Sequence, residues 1–297
     1  MIEMIKRALK FGNLRYKIIC FLINILGYSN SEIQDLEVRN KVFKYLKKRY
    51  EKELGNQRIE KISSNETNKT VWVCWFQGYD NAPQIVKTCI NSMYKWLNDY
   101  EIILIDEKNL FNYVDLPKYV IEKWNKGIIS NTLFSDFIRL DILNKYGGIW
   151  VDATVLFTGP LPKYIVDSDF FMYRCNVYDV AKFGESWFIK SESHNRILKL
   201  TLQLMNKYWK KENKIKDYFQ MFIFMQMVIK RYPEDVDNMI NIPSSIPHMM
   251  QKYLNSTYDE KIYDSICSIT NIHKLTYKNI EMNVHNTFFR HILELGE

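Results

Sequence analysis

The stretch from Ser135 to Thr154, SDFIRLDILNKYGGIWVDAT, brings the carboxylates of Asp136 and Asp152 and the Arg139 guanidinium into one short block. Asp136 and Arg139 stand three residues apart, which places them on one face of a helix. Phe134, Phe137, Ile138, Ile142 and Leu143 supply a broad apolar stripe for packing on another face. Gly147 and Gly148 follow, where a helix that closes with a positive φ calls for glycine. Beyond them Ile149, Val151, Ala153 and Val155 alternate with Trp150, Asp152 and Thr154, the pattern of a strand whose end turns Asp152 and Thr154 to one side. That face should look into a site. Taken singly, Asp136 and Arg139 are an ordinary helix pair worth about a few tenths of a kcal/mol, and Asp152 is a turn cap. The order of the whole block is what points to a site.

Those side chains need elements to position them. Val71 to Phe76 is apolar on both faces, as a central parallel strand must be, and Glu101 to Asp106 reads as a second strand. Between them Pro83 opens a helix that buries Ile85, Cys89, Ser92 or Met93, and Trp96. Further on, Phe170 to Tyr173 and Trp187 to Ile189 read as short strands, and His194 to Trp209 and Lys216 to Arg231 as helices. Residues 31–62 look helical and charged, and SSNETNK from Ser63 to Lys69 reads as a linker. Strands alternating with helices predict an α/β fold with right-handed crossovers, its site at the carboxyl ends of the strands. Gln77, Asp106 and Asp152 all fall at such ends.

Composition sets outer bounds. With 297 residues and 47% apolar content the chain can bury a sizeable core and is not a disordered protein. Cys20, Cys74, Cys89, Cys175 and Cys267 show no metal-type or redox-type spacing and read as reduced thiols. There is no P-loop, GxGxxG, HExxH or GxSxG, which argues against kinase, dehydrogenase, metalloprotease and serine-hydrolase chemistry. Residues 1–70 hold 15 Lys or Arg against 8 Asp or Glu, so the whole formal excess of +7 lies there. Lys6, Arg7, Lys10, Arg15 and Lys17 precede an apolar run, Ile18 to Leu26, too short to cross a bilayer. Two readings stay open: an amphipathic stretch on anionic lipid, or a helix packed on the following domain. No nucleic-acid-binding module accompanies the basic residues.

Three motifs in order, VWVCWFQGYDNAPQIV, the Ser135–Thr154 block and IHKLTYK, resemble the capsular polysaccharide synthesis proteins. These are related to glycosyltransferases with an Asp-x-Asp sugar-binding motif and, more distantly, to glucosylating clostridial toxins. The resemblance spans roughly Val71 to Lys278, most of the chain. It implies a Rossmann-like, GT-A type α/β domain with a mostly parallel central sheet and an N-terminal helical appendage. The expected division is 1–69 for the basic region and linker and 70–297 for the catalytic domain, with 70–157 the donor-binding half and 158–297 the acceptor side.

By the same resemblance, Trp72, Gln77, Asp106 and Ser135 hold the nucleotide-sugar donor. Asp136 and Arg139 contact its sugar and phosphates, and Asp152 meets ribose and a divalent cation, Mn²⁺ or Mg²⁺. Thr154 departs from the family pattern, since a second Asp would stand there, and that departure puts metal dependence in doubt. His273 is a possible cation ligand, while Lys274 could instead neutralise the leaving diphosphate directly. Glu185, Trp187, Asp217 and Tyr218 are the candidates for the acceptor side. The expected activity is transfer of a sugar from a nucleotide diphosphate, UDP-linked, to a lipid-linked cell-surface saccharide, with retention, by a cytoplasmic enzyme peripheral on the inner membrane face. The rivals are a toxin-like protein glycosyltransferase and a catalytically silent nucleotide-sugar binder.

Overall fold

Val71, Trp72 and Val73 present no polar face to water, so the strand they form must be covered on both sides. In the computed structural model this strand, β1 (Thr70–Cys74), is buried along nearly its whole length inside a five-stranded sheet. The structure describes residues 18, 21, 22, 25, 31–55, 68–176, 178–281 and 284–296. Along the chain come α1 (Ser31–Tyr50), β1, α2 (Gln84–Trp96), β2 (Glu101–Ile105), α3 (Lys118–Asn125), α4 (Asn131–Tyr146), β3 (Gly148–Val151) and β4 (Val155–Phe157). Then follow α5 (Lys163–Val166), β5 (Phe170–Arg174), β6 (Gly184–Ser191), α6 (Arg196–Lys211), α7 (Gln220–Arg231), α8 (Glu260–Ile269), β7 (Ile272–Lys274) and α9 (Phe288–Glu294).

The sheet order is β2-β1-β3-β6-β5. β1 pairs in parallel with β2 and β3, with Val71 opposite Ile102 on one side and Ile149 on the other. β6 runs antiparallel to both β3 and β5, so β2, β1, β3 and β5 point one way and β6 opposes them. This is the mostly parallel α/β architecture the sequence implies. Gln77, Asp106 and Asp152 follow the carboxyl ends of β1, β2 and β3, on one edge of the sheet. A two-stranded antiparallel sheet joins β4 to β7 and fastens the C-terminal segment beside that edge.

Some expected boundaries move for local reasons. Ile149 to Val155 is not one strand. The Asp152 N–H donates to the Trp187 carbonyl at 2.8 Å, and the Val155 N–H then turns back to the Asp152 carbonyl at 3.0 Å. That turn ends β3 and sends β4 into the second sheet. The helix expected from Lys216 begins at Gln220, because the Asp217 carboxylate accepts the Phe219 N–H at 2.8 Å and holds a turn there. Asn195 caps α6 by accepting the N–H groups of Ile197 and Leu198.

The helix preceding the sheet is no detached appendage. Phe43, Leu46 and Tyr50 of α1 are buried in the common core, and the Tyr50 ring meets Phe224 of α7 at 5.8 Å and Tyr208 of α6 at 6.0 Å. The 69/70 boundary marks where the sheet begins, not where packing starts. Apart from Ile18, Phe21, Leu22 and Ile25, the segment 1–27 lies outside the described residues, as do 56–62 and linker residues 63–67. Among the described residues no helix is long and apolar enough to cross a membrane.

Candidate active site

Ser130 starts the helix that carries the acid and base: its hydroxyl accepts the Leu133 N–H at 3.4 Å as N-cap of α4. Leu133, Phe134, Phe137, Ile138, Leu140, Ile142 and Leu143 bury the helix on several sides, and Asp136 and Arg139 are buried with them. The expected separation of a chemical face from a packing face is therefore lost. Phe134 stacks on Trp124 of α3 at 4.1 Å while its neighbours in sequence line the site. Gly147 and Gly148 close the helix with φ of 69° and 95°. A Cβ on Gly148 would stand 2.4 Å from the Thr70 carbonyl oxygen, so glycine is what lets β3 lie against β1.

Within α4, before that turn, Arg139 is gripped from four sides. Nη1 donates to Asp136 Oδ1 at 2.6 Å and to Ser186 Oγ at 2.5 Å, and Nη2 to Ser135 Oγ at 3.1 Å and Asp152 Oδ1 at 3.4 Å. The guanidinium also faces the Trp150 ring at 5.2 Å, and the Trp150 indole N–H donates to Asp152 Oδ1 at 3.1 Å. Lys274 completes the cluster. Its Nζ donates to Thr154 Oγ1 at 2.5 Å and lies 3.5 Å from Asp152 Oδ2. Two cations thus converge on one carboxylate at the carboxyl edge of the parallel strands.

The electrostatics follow from this geometry. Burial pushes the Asp136 carboxyl up to about 6, with Arg139 opposing the rise and Asp152 adding to it. Burial also acts to raise Asp152, but Lys274 first, then Arg139, and the hydrogen bond from Trp150, outweigh it and hold that carboxyl below its ordinary value. Asp152 remains the charged group of the site. Its side chain is 30% exposed, against 8% for Arg139 and 18% for Lys274, so it is the member a ligand meets.

Other expected residues fall in different places. Trp72 is buried, its indole N–H donating to the Gly147 carbonyl at 2.9 Å and its ring packed on Tyr113 and Tyr146. It pairs with Trp150 in the sheet, one layer below Asp152, and braces the helix end where a base contact was expected. Gln77 is exposed in the loop after β1, and the neighbouring Gly78 sits against Asp106 Oδ2. Asp106 spends Oδ1 on the N–H groups of Lys108 and Asn109, at 2.9 and 3.0 Å.

His273 does not join the site. Consecutive strand residues face opposite ways: Lys274 reaches Asp152, so His273 points into the interior, fully buried, with Nε2 2.9 Å from Thr158 Oγ1. Burial lowers its imidazole to about 4 and keeps it neutral. On the acceptor side, Asp217 packs its carboxylate near Arg39 of α1, at 3.8 Å, and Arg39 also pairs with Asp179 and covers the Phe219 ring. Asp217 thus braces α1. Tyr218 is exposed beside Phe219. Glu185 and Trp187 do lie next to the cluster, on the strand that supplies Ser186: Glu185 pairs with Lys182 at 2.8 Å, and Trp187 stacks on Tyr173 and meets His248 at 5.6 Å.

The expected divalent cation fits this donor set poorly. Asp152 is already shared by two cations, Thr154 is neutral and spends its hydroxyl on Lys274, and His273 faces away. Among the described residues no group of three His, Cys, Asp or Glu could hold a metal ion. The four described cysteines are free, and burial pushes the thiols of Cys74, Cys89 and Cys175 up to about 12.

Sequence reasoning missed Ser186, which no motif marks, and Trp150, whose strand parity with Asp152 could have found it. A cavity of about 740 Å³ opens where β5 ends and β6 begins, lined by Arg174, Glu185 and His248 among others. A second cavity, about 470 Å³, lies at the far edge of the sheet by Ser168 and Ser193, away from Asp152.

Comparison with known proteins puts this geometry in context. Residues 23–292 match the family described as "Capsular polysaccharide synthesis protein". A curated relative, "O-glycosyltransferase braB" of Annulohypoxylon truncatum, is 32% identical over 97 residues, which cover 29% of this chain and 23% of that relative. Among solved structures, "PaToxG Glycosyltransferase" aligns at 16% identity and a TM-score of 0.39 over 68% of this chain and 81% of its own. Another, described as a transferase carrying two cysteine-to-serine substitutions, aligns at 14% identity and a TM-score of 0.34 over 60% of this chain and 93% of its own.

Proposed function

The chain belongs to the capsular polysaccharide synthesis protein family, and on that footing we propose that it is a glycosyltransferase that moves a sugar from a nucleotide diphosphate donor to a saccharide acceptor. The observation that carries this reading is the convergence of Arg139 and Lys274 on Asp152 at the carboxyl edge of three parallel strands. Sugar transfer breaks the bond between the anomeric carbon and the diphosphate oxygen, and the electron pair leaves with the diphosphate. Fixed positive groups aimed at that developing charge lower the barrier without reorganising at the moment of reaction. Arg139, held by Asp136, Ser135 and Ser186, is such a group. Lys274 is the second, and its ammonium stands in for the divalent ion that the neutral Thr154 does not help to hold. Asp152 takes the donor's ribose or sugar hydroxyls, Gln77 and Asp106 lie on the nucleotide side, and the Glu185 and Trp187 side receives the acceptor.

The finer features follow the family resemblance. The donor is UDP-linked, the acceptor is a lipid-linked cell-surface saccharide, and configuration is retained, with the departing diphosphate taking the acceptor proton. The enzyme works at the inner membrane face, with its basic N-terminus on anionic lipid. Support for that attachment is the charge excess of residues 1–70 and the exposed Ile18, Leu22 and Ile25 of the apolar run. A thermal-shift panel of nucleotide sugars, run with and without chelator, tests the donor. A ligand at a hundred times its dissociation constant stabilises the fold by about 2.7 kcal/mol. A UDP-sugar that raises the melting temperature equally in both conditions is the expected result; no response to any nucleotide sugar would remove the reading.

A further inference from the structure

Where β5 ends and β6 begins, the cavity of about 740 Å³ is walled by Arg174, Asn176, Glu185, Ser244, Ser245 and His248. Its position follows from strand parity on β6: Ser186 reaches Arg139, while Glu185 and Trp187 face the other way, toward the cavity and His248. The segment carrying Ser244 to His248 is fixed to both sides. Ser244 N–H donates to the Arg174 carbonyl, and the Pro247 carbonyl accepts the Lys274 N–H, each at 2.8 Å. The cavity therefore has a wall tied by backbone hydrogen bonds to β5 and to the strand that carries Lys274.

Among the described residues of that wall, Arg174 is the uncommitted charge. Glu185, the acid beside it, is taken by Lys182 through both oxygens, at 2.9 and 2.8 Å, and by the Cys175 thiol at 3.2 Å. The Arg174 guanidinium lies over the Phe183 ring at 3.4 Å and makes no ion pair with any described carboxylate, and its Nη1 is buried without a hydrogen-bond partner. An orphaned guanidinium N–H is costly, and an oxyanion, carboxylate or phosphate, is the group that relieves it. Around it stand neutral polar groups: Asn176, Ser244 and Ser245, with His248 held by its Nδ1 on the Ser244 carbonyl at 2.6 Å. That contact makes Nδ1 a donor, because a carbonyl oxygen only accepts.

We propose that this cavity is an acceptor subsite that recognises an oxyanion on the acceptor, a sugar carboxylate or the phosphate of a glycosyl carrier, through Arg174. This rests on the transferase reading above and narrows it to an acidic acceptor.

The test uses the full-length protein with three probes: methyl β-glucuronide for the carboxylate, geranyl diphosphate for the carrier phosphate, and methyl β-glucoside as the neutral control. Calorimetric titration of the wild type should detect one anionic probe and not the glucoside, and the probe that binds identifies the source of the charge. Arg174→Gln should weaken that probe about tenfold or more. Arg174→Lys keeps the charge on Phe183 but not the fork, and should weaken it by a smaller factor, which decides the matter if the glutamine variant does not fold. UDP, titrated in parallel, should bind wild type and both variants alike. Equal binding of glucoside and anion, no anionic binding to wild type, or undiminished binding to the variants would each overturn the inference. Failure of UDP to bind wild type would instead count against the transferase reading; the anionic probes are titrated in saturating UDP, so that geranyl diphosphate reports on the cavity and not on the Arg139 and Lys274 pair.

Discussion

Replacing Arg139 by Met should destabilise the fold most where Asp136 is charged, so the loss should grow with pH. Asp136 is buried, and Arg139 Nη1 at 2.6 Å is the foremost charge opposing its desolvation. With Arg139 present the carboxyl titrates at about 6, raised from an ordinary 3.8. A carboxyl that holds its proton more tightly in the folded state makes stability fall as pH rises, until the folded pKa is passed. In the wild type that decline ends near 6. In Arg139→Met the carboxyl stays neutral to higher pH and the decline continues. The gap between the two proteins should widen above pH 6 by up to about 1.4 kcal/mol per pH unit, a ceiling of roughly 2.7 kcal/mol by pH 8. This lies just under the ~3–5 kcal/mol that breaking a buried ion pair costs. Asp152 loses Arg139 as well but keeps Lys274 at 3.5 Å, so it adds less. Urea unfolding followed by tryptophan fluorescence at about pH 5.5 and pH 8 measures the gap. The double variant Asp136→Asn/Arg139→Met should show none of the pH-dependent part. A gap of the same size at both pH values would refute the reasoning.

Lys274→Ala should lower turnover by about two orders of magnitude, the scale for one preorganised charge-stabilising group, whereas chelator should leave wild-type turnover unchanged. Restoration of full Lys274→Ala activity by Mn²⁺ would show that a metal site exists after all. Gly148→Ala should cost about 2 kcal/mol or more in denaturant unfolding, because its φ of 95° and the Thr70 carbonyl 2.4 Å away both oppose a Cβ; an unchanged midpoint would contradict the packing described. Deleting residues 1–27 should release the protein from anionic vesicles in co-sedimentation while transfer to a soluble acceptor survives, and loss of folding with vesicle binding intact would show that the segment packs on the domain.

The Ser135–Thr154 block was legible in the sequence because its constraints are local. Helical spacing sets Asp136 beside Arg139, and two glycines force the turn that delivers Asp152. The apolar run at Val71 likewise announced a central parallel strand. What escaped depended on contacts between distant segments. Trp72 sits in the right strand, but only the packing of Tyr113 and Tyr146 turns it into a brace. His273 and Lys274 are neighbours in a three-residue strand, too short for its pattern to say which one faces the site. Asp217 looked available until Arg39, far away in the chain, came to rest beside it. Ser186, Arg174 and His248 carry no motif at all: Ser186 reaches Arg139 from β6, Arg174 ends β5, and His248 stands on a loop tied by backbone hydrogen bonds to Arg174 and Lys274.

The central claim is that Asp152, flanked by Arg139 and Lys274, is where a nucleotide sugar is bound and cleaved. Its most direct test is release of nucleotide diphosphate from a panel of UDP-sugars by the wild type and by Asp152→Ala, with circular dichroism confirming that the variant is folded. The account predicts turnover of at least one donor by the wild type and a loss of about a hundredfold or more in the variant. Near-normal turnover by a folded Asp152→Ala protein would contradict it.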